Sequence, residues 1–120
     1  MKRLFLSFDY ACNGIKAVIK SEKNMQIHIT VALFVIVMGF LLDISTSEWV
    51  ACIICIGLVF SAETLNTAIE SLVDMVSPER QPAAGKIKDI AAGGVFLAAI
   101  ISVIVGIIIF LPKIWYLIFM

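Results

Sequence analysis

The chain has 120 residues, 62% of them hydrophobic and 15% charged, with three cysteines and a formal net charge of zero. A mean hydropathy of +1.08 is far outside the soluble range and identifies an integral membrane protein. Such a chain has room for one membrane-embedded domain over 1–120, built on three helical spans of about 20 residues, and none for a separate soluble catalytic domain. Zero net charge also argues against nucleic acid as a partner. Cys52 and Cys55 share a helix face inside an apolar run. With no further Cys or His nearby they read as packing or lipid-facing residues, not as a zinc or redox site.

In residues 1–24, Leu4, Phe8, Ala11, Ile15, Val18 and Ile19 recur at three- and four-residue steps, which predicts an amphipathic helix with one apolar face. Lys2, Arg3, Lys16, Lys20 and Lys23 against Asp9 and Glu22 suit an interfacial helix on anionic headgroups. A solvated helix covering the end of the bundle would have the same pattern. No cleavable signal peptide is expected, because the first strongly apolar run begins only near Ile27, after this charged, mixed segment. That run, 27–42, is the first membrane helix, extended through the interface by Met25 and Gln26 and closed by Asp43 to Glu48. His28, at its start, reads as an interfacial hydrogen-bonding residue and takes no role.

Trp49 opens the second span at headgroup level. Residues 61–76 contain neither Pro nor Gly, so this helix is expected to run unbroken over 49–76 until Pro78 and Pro82 stop it. About 28 residues make about 42 Å, longer than the hydrocarbon core, so the polar last third should emerge at one membrane surface. The third membrane helix is expected over 90–111, entered through the small residues Ala91 to Gly94 and ended or kinked by Pro112 and Lys113. Eight basic residues in the N-terminal segment and the second loop oppose Lys113 alone on the other side. The positive-inside rule therefore turns the N-terminus and the polar end of the second span to the cytoplasm.

That polar end carries Glu63, Asn66, Glu70 and Asp74. At 100° per residue, Asn66, Glu70 and Asp74 lie about −60°, −20° and +20° from Glu63, so all four project from one stripe of one helix. A charge at this depth costs roughly 2.5–3.5 kcal/mol, which makes the stripe a functional hypothesis by default. A structural ion pair would need a basic partner in the spans, and no Lys or Arg lies between Ile27 and Pro78, so magnesium is the plainer compensation. Magnesium is commonly held by one or two carboxylates plus substrate phosphates, lysine suits phosphate oxygens, and a carboxylate in an apolar setting can take a hydroxyl proton. With Glu22, Lys86, Lys88 and Asp89 at the same interface, the set suffices for phosphoryl transfer, which is mostly positioning and charge neutralisation. Soluble kinase signatures are absent: Gly85-Lys86 has Arg80 where a Walker A loop requires glycine, and no GxGxxG occurs.

The motif Glu63-x-x-Asn66-Thr-Ala-Ile-Glu70-x-x-Val-Asp74, followed by Lys88-Asp89, resembles the signature of the prokaryotic diacylglycerol kinase family. That family includes the undecaprenol kinases of Gram-positive bacteria. The resemblance extends over nearly the whole chain, in size, three spans, amphipathic N-terminus and short loops. It implies an all-α homotrimeric bundle in the bacterial cytoplasmic membrane. Each trimer would transfer the γ-phosphoryl of ATP with Mg2+ to a membrane lipid alcohol, diacylglycerol or undecaprenol, in phospholipid or cell-envelope lipid recycling. Active sites would be shared between neighbouring subunits. Carried over by residue, Glu63 matches the general base, Glu22 and Glu70 the magnesium-holding pair, Asn66 the supporting amide, and Lys88 the lysine on the phosphates, with Asp89 beside it. Arg3 and Tyr10 fall where the N-terminal helix contributes nucleotide contacts, and Glu79, Arg80 and Gln81 in the nucleotide-contacting loop. The family commonly has an aromatic residue at the position of Arg80 and a histidine at that of Gln81, so nucleotide affinity or base preference is where this chain departs from the pattern.

Other readings accompany these. Asp74 suits either a pairing with a basic loop residue or a direct catalytic role. Glu22, without the resemblance, is the acidic member of a lysine-rich turn, and Lys86 a headgroup-facing charge. Glu63 would also serve a small proton-coupled exporter, although such proteins generally need four spans and an acid near mid-membrane. A subunit held by its helices alone is disfavoured by the concentration of polar residues.

Overall fold

The computed structural model describes residues 1–120 as four helices: α1 (Lys2–Ser21), α2 (Lys23–Leu41), α3 (Thr46–Val76) and α4 (Pro82–Phe119). The last three are long and apolar enough to cross a membrane. The chain is therefore an all-helical, multi-pass membrane protein with one further helix at its N-terminal end.

The helix boundaries follow from local chemistry. Glu22 is extended (φ −103°, ψ 113°) and separates α1 from α2. The Gln26 side-chain amide Nε2 donates to the carbonyl of Ile19 at 3.1 Å, satisfying one of the orphan acceptors that a helix C-terminus leaves. The first span accordingly begins at Lys23, ahead of the apolar run at 27. Between α2 and α3 the chain turns at Asp43, whose φ of 51° is a left-handed conformation that Asp tolerates better than most residues. Ser45 then caps α3 in a reciprocal box: Glu48 N donates to Ser45 Oγ (3.2 Å) and Ser45 N donates to Glu48 Oε1 (2.9 Å). This starts α3 at Thr46, one turn before Trp49.

α4 is longer than the expected 90–111 in both directions. Pro82 stands in its first turn, where a missing N–H costs nothing, so Lys86, Lys88 and Asp89 lie on the helix and not in a loop. Of the two outcomes expected at Pro112, a stop or a kink, the stop does not occur. Lys113 is held by Glu48 at 3.1 Å, Trp115 and Phe119 pack ring to ring at 4.3 Å, and the apolar segment continues helically to Phe119. In lipid, helical continuation keeps the remaining backbone groups bonded, which outweighs the single donor lost at proline.

α3 and α4 form an antiparallel pair, α2 packs against α3, and α1 touches only the adjoining parts of α2 and α3. At the turn end, Ile44, Cys52 and Ile109 form a small core with Trp49 beside it. Gly39 permits this packing, since a Cβ there would stand 2.6 Å from the Trp49 indole. Only 12 of the 120 residues are buried, so the chain's apolar surface is turned outward to lipid or to other protein. α1 belongs to this pattern. Leu4, Phe8 and Ile15 are exposed and only Val18 is buried, so the apolar face does not cover the end of its own bundle.

Candidate active site

On α3 the stripe forms as the helical spacing requires. Glu63 is the most deeply buried side chain of the molecule, 1% exposed, and Asn66 is 6% exposed. Asn66 Nδ2 donates to Glu70 Oε1 at 3.2 Å. Thr64 and Thr67 return their hydroxyls to the carbonyls of Phe60 and Glu63, so they are satisfied within the helix. Glu63 Oε2 and Asn66 Oδ1 are not: both are buried without a hydrogen-bond partner. Two orphaned oxygens on adjacent turns are costly unless a ligand takes them up, and native structures keep few such groups without a reason.

Glu22, at the α1–α2 junction, and Glu70 lie near enough for their charges to act on Glu63. The three carboxylates thus share the end of the bundle where α1, α2 and α3 converge, but they do not form a three-ligand metal cluster. The basic group nearest the buried carboxylate is His28, whose Nε2 is 3.5 Å from Glu63 Oε2. Sequence reasoning gave this histidine no role. Its ring is not a permanent cation like Lys or Arg, and the α2–α3 contact that joins positions 28 and 63 is not written in any local spacing.

One turn further along the stripe, Asp74 accepts from Lys88 Nζ of α4. The pair is exposed, 65% for the Asp74 side chain and 38% for that of Lys88. Asp74 thus does have a basic partner, on a helix and not in a loop. Beside the pair is an open recess of about 540 Å³ whose walls include Glu79, Arg80, Gln81 and Gly85. The structure brings Lys88 together with the 79–81 turn, and Glu22 and Glu70 together with Glu63. Arg3, Tyr10 and Asp89 are exposed, and their side chains make no hydrogen bond or ion pair within the chain. A second cavity, about 380 Å³ and almost wholly apolar, runs between α2, α3 and α4 with His28 in its wall.

The arrangement is a buried acid beside an apolar groove, with an open recess lined by two acidic and two basic side chains, Asp74, Glu79, Arg80 and Lys88, further toward the same end of the bundle. The family model for prokaryotic diacylglycerol kinase matches residues 9–110. The chain belongs to that family. It is therefore a lipid kinase, a phosphotransferase with an alcohol acceptor. This kinase is 44% identical to the undecaprenol kinase of Bacillus subtilis (strain 168) over 94% of its own length and 92% of that protein's. It is 38% identical to a diacylglycerol kinase of Synechocystis over 91% of its length and 63% of that longer protein, and 31% identical to the diacylglycerol kinase of Haemophilus influenzae over 92% and 94%. The alternative of a proton-coupled exporter finds no support in these relatives.

Proposed function

We propose that this kinase uses ATP and Mg2+ to phosphorylate the primary hydroxyl of a membrane lipid alcohol at the cytoplasmic face of a bacterial plasma membrane. Of the two candidate lipids, undecaprenol is favoured, because the undecaprenol kinase relative stands at 44% identity and the two diacylglycerol kinases at 38% and 31%. The observation that carries the reading is Glu63: a 1% exposed carboxylate on a stripe with Asn66 and Glu70.

Glu63 is the general base. It accepts the hydroxyl proton as the lipid oxygen forms its bond to the γ-phosphorus and the bond from that phosphorus to the β–γ bridging oxygen breaks, with ADP leaving. A positioned base of this kind contributes roughly 10²–10⁴ in rate. Lys88 supplies positive charge to the phosphates, and the recess walled by Glu79, Arg80 and Gln81 receives the nucleotide, to which Arg3, Tyr10 and Asp89 contribute. The oxygen-only donor set fits magnesium: Glu70 keeps one oxygen free of Asn66, Glu22 lies nearby, and a hard cation takes one or two carboxylates and completes its shell with phosphates and water. Glu22 and Glu70 would hold the ion, which neutralises charge on the phosphates when bound; Asn66 fixes Glu70. The apolar groove beside His28 suits a lipid chain.

Self-association into a homotrimer is part of this proposal. The uncovered apolar face of α1 and the isolation of Arg3, Tyr10 and Asp89 within one chain support sites completed by a neighbour.

The test is phosphate transfer from labelled ATP with magnesium in mixed micelles, with diacylglycerol and undecaprenol offered side by side to the wild type and to Glu63→Gln. Product on undecaprenol, lost in the variant, is expected. Product on neither lipid from a folded oligomer refutes the reading.

A further inference from the structure

His28 has one polar contact within the chain. Its Nε2 stands 3.5 Å from Glu63 Oε2, an ion-pair distance just beyond a good hydrogen bond, and no other side-chain or backbone partner engages the ring. Of the two Glu63 oxygens it is the fully buried one that faces the imidazole. The histidine comes from α2 and the acid from α3, so the contact joins the two helices that wall the apolar groove on this side. No Lys or Arg lies between Ile27 and Pro78, which leaves His28 as the only basic side chain over that stretch of the first two spans and one whose ring N–H can donate to the buried carboxylate. Glu22 and Glu70, the other ionisable groups acting on Glu63, are acids and repel it.

We propose that His28 is a positioning residue for Glu63: its Nε2–H holds Oε2 from across the α2–α3 contact and leaves the other oxygen presented to the lipid hydroxyl. The proposal rests on the reading of Glu63 as the base. A carboxylate on a free χ3 rotor samples many orientations, and a base acts only from within hydrogen-bond reach of the proton it takes. An imidazole fixed on a neighbouring helix removes that freedom, as an orienting third group does wherever a base must be aimed. Contacts of this kind are often long before substrate binds and tighten with it, so a distance of 3.5 Å accords with a hydrogen bond in the working complex.

The test compares His28→Leu, His28→Gln, Glu63→Asp and the double variant Glu63→Asp/His28→Leu in the full-length protein in micelles, with magnesium, ATP and undecaprenol. Thermal stability and oligomer size are recorded for each. Expected are a kcat for His28→Leu about 10–100-fold below wild type, the usual cost of losing an outer partner of a catalytic group, with KM for ATP and lipid unchanged. His28→Gln, whose Nε2 also reaches Oε2, recovers most of the loss. In Glu63→Asp the carboxylate is already withdrawn from the imidazole, so adding His28→Leu costs little more. A merely structural histidine would instead lower stability, leave kcat per folded enzyme near wild type, or multiply its loss onto that of Glu63→Asp, and each of these overturns the proposal. Should His28→Leu not assemble, His28→Asn against His28→Gln poses the same question, because the shorter amide is as polar but does not reach Oε2; equal rates overturn the proposal. Full activity in Glu63→Gln would instead remove the base assignment itself, a separate failure.

Discussion

Lys88 and Asp74 allow the structural and the chemical uses of one contact to be separated. The pair joins α4 to α3, but its side chains are 38% and 65% exposed, and exposed ion pairs contribute about 0–1 kcal/mol. Lys88→Met should therefore lower the thermal midpoint by no more than a few degrees. If Lys88 donates to the transferring phosphates, the same substitution removes charge-assisted hydrogen bonds of about 1.5–3 kcal/mol, or about 10–150-fold in kcat/KM for ATP. Asp74→Asn frees the ammonium and should leave kcat/KM within about threefold of wild type, since only the weak pair is lost. The decisive variant is the exchange Asp74→Lys/Lys88→Asp, which keeps an ion pair between the two helices with its sense reversed. Initial rates over a range of ATP, paired with thermal unfolding in the same micelles, should show near wild-type stability and the low activity of Lys88→Met. Recovery of activity in the exchanged protein would refute the phosphate role and leave the pair as a clamp between α3 and α4.

Glu70→Gln should raise the magnesium concentration needed for half-maximal rate more than it raises the KM for lipid, measured by titrating the metal at saturating ATP, while chelation of magnesium abolishes transfer in the wild type. Gly39→Val should lower stability by about 1–3 kcal/mol, because a Cβ there meets the Trp49 indole at 2.6 Å, with activity per folded protein retained because the contact lies at the turn end. Ser45→Ala removes the α3 cap and should cost about 0.5–2 kcal/mol in the same unfolding assay, again without changing kcat. Mixed oligomers of Glu63→Gln and Lys88→Met subunits should regain activity if sites are shared between chains, and show none beyond the residual rates if each chain works alone.

Much of the fold was legible because the bilayer simplifies the problem. Apolar runs near 27, 49 and 90 announced three spans, and the turn at 43–48 and the prolines at 78 and 82 set the connections. The helix ends that differ share a cause: an apolar run marks the lipid-crossing part of a helix and not its full extent. Ser45 and Glu48 formed a capping box that the sequence displays as S-x-x-E, and that signal would have moved the start of α3 back to Thr46. Pro82 was read as a stop for the preceding helix, yet the same residue is a favoured first-turn residue for the next, which carried Lys86 and Lys88 onto α4. Pro112 breaks a helix more readily in water than in lipid, where neighbouring elements and the demand for backbone bonding carry α4 through it.

The site divides along a similar line. Glu63, Asn66 and Glu70 are fixed relative to one another by a single helix, so three residues and two turns of sequence sufficed to place them on one stripe, and the Asn66–Glu70 hydrogen bond is the direct consequence of a four-residue step. Contacts between helices obey no such local rule. Lys88 meets Asp74 across 14 positions and His28 meets Glu63 across 35, each depending on the depth at which two apolar surfaces settle against each other. Helix packing fixes that depth through ridges and grooves that alternate every few residues, and a shift of one turn, about 5 Å, would set the uncharged Met25 or Ala32 near the acid instead. Burial makes the question answerable after the fact: a 1% exposed carboxylate must have something to face, and in this fold His28 is the basic group available.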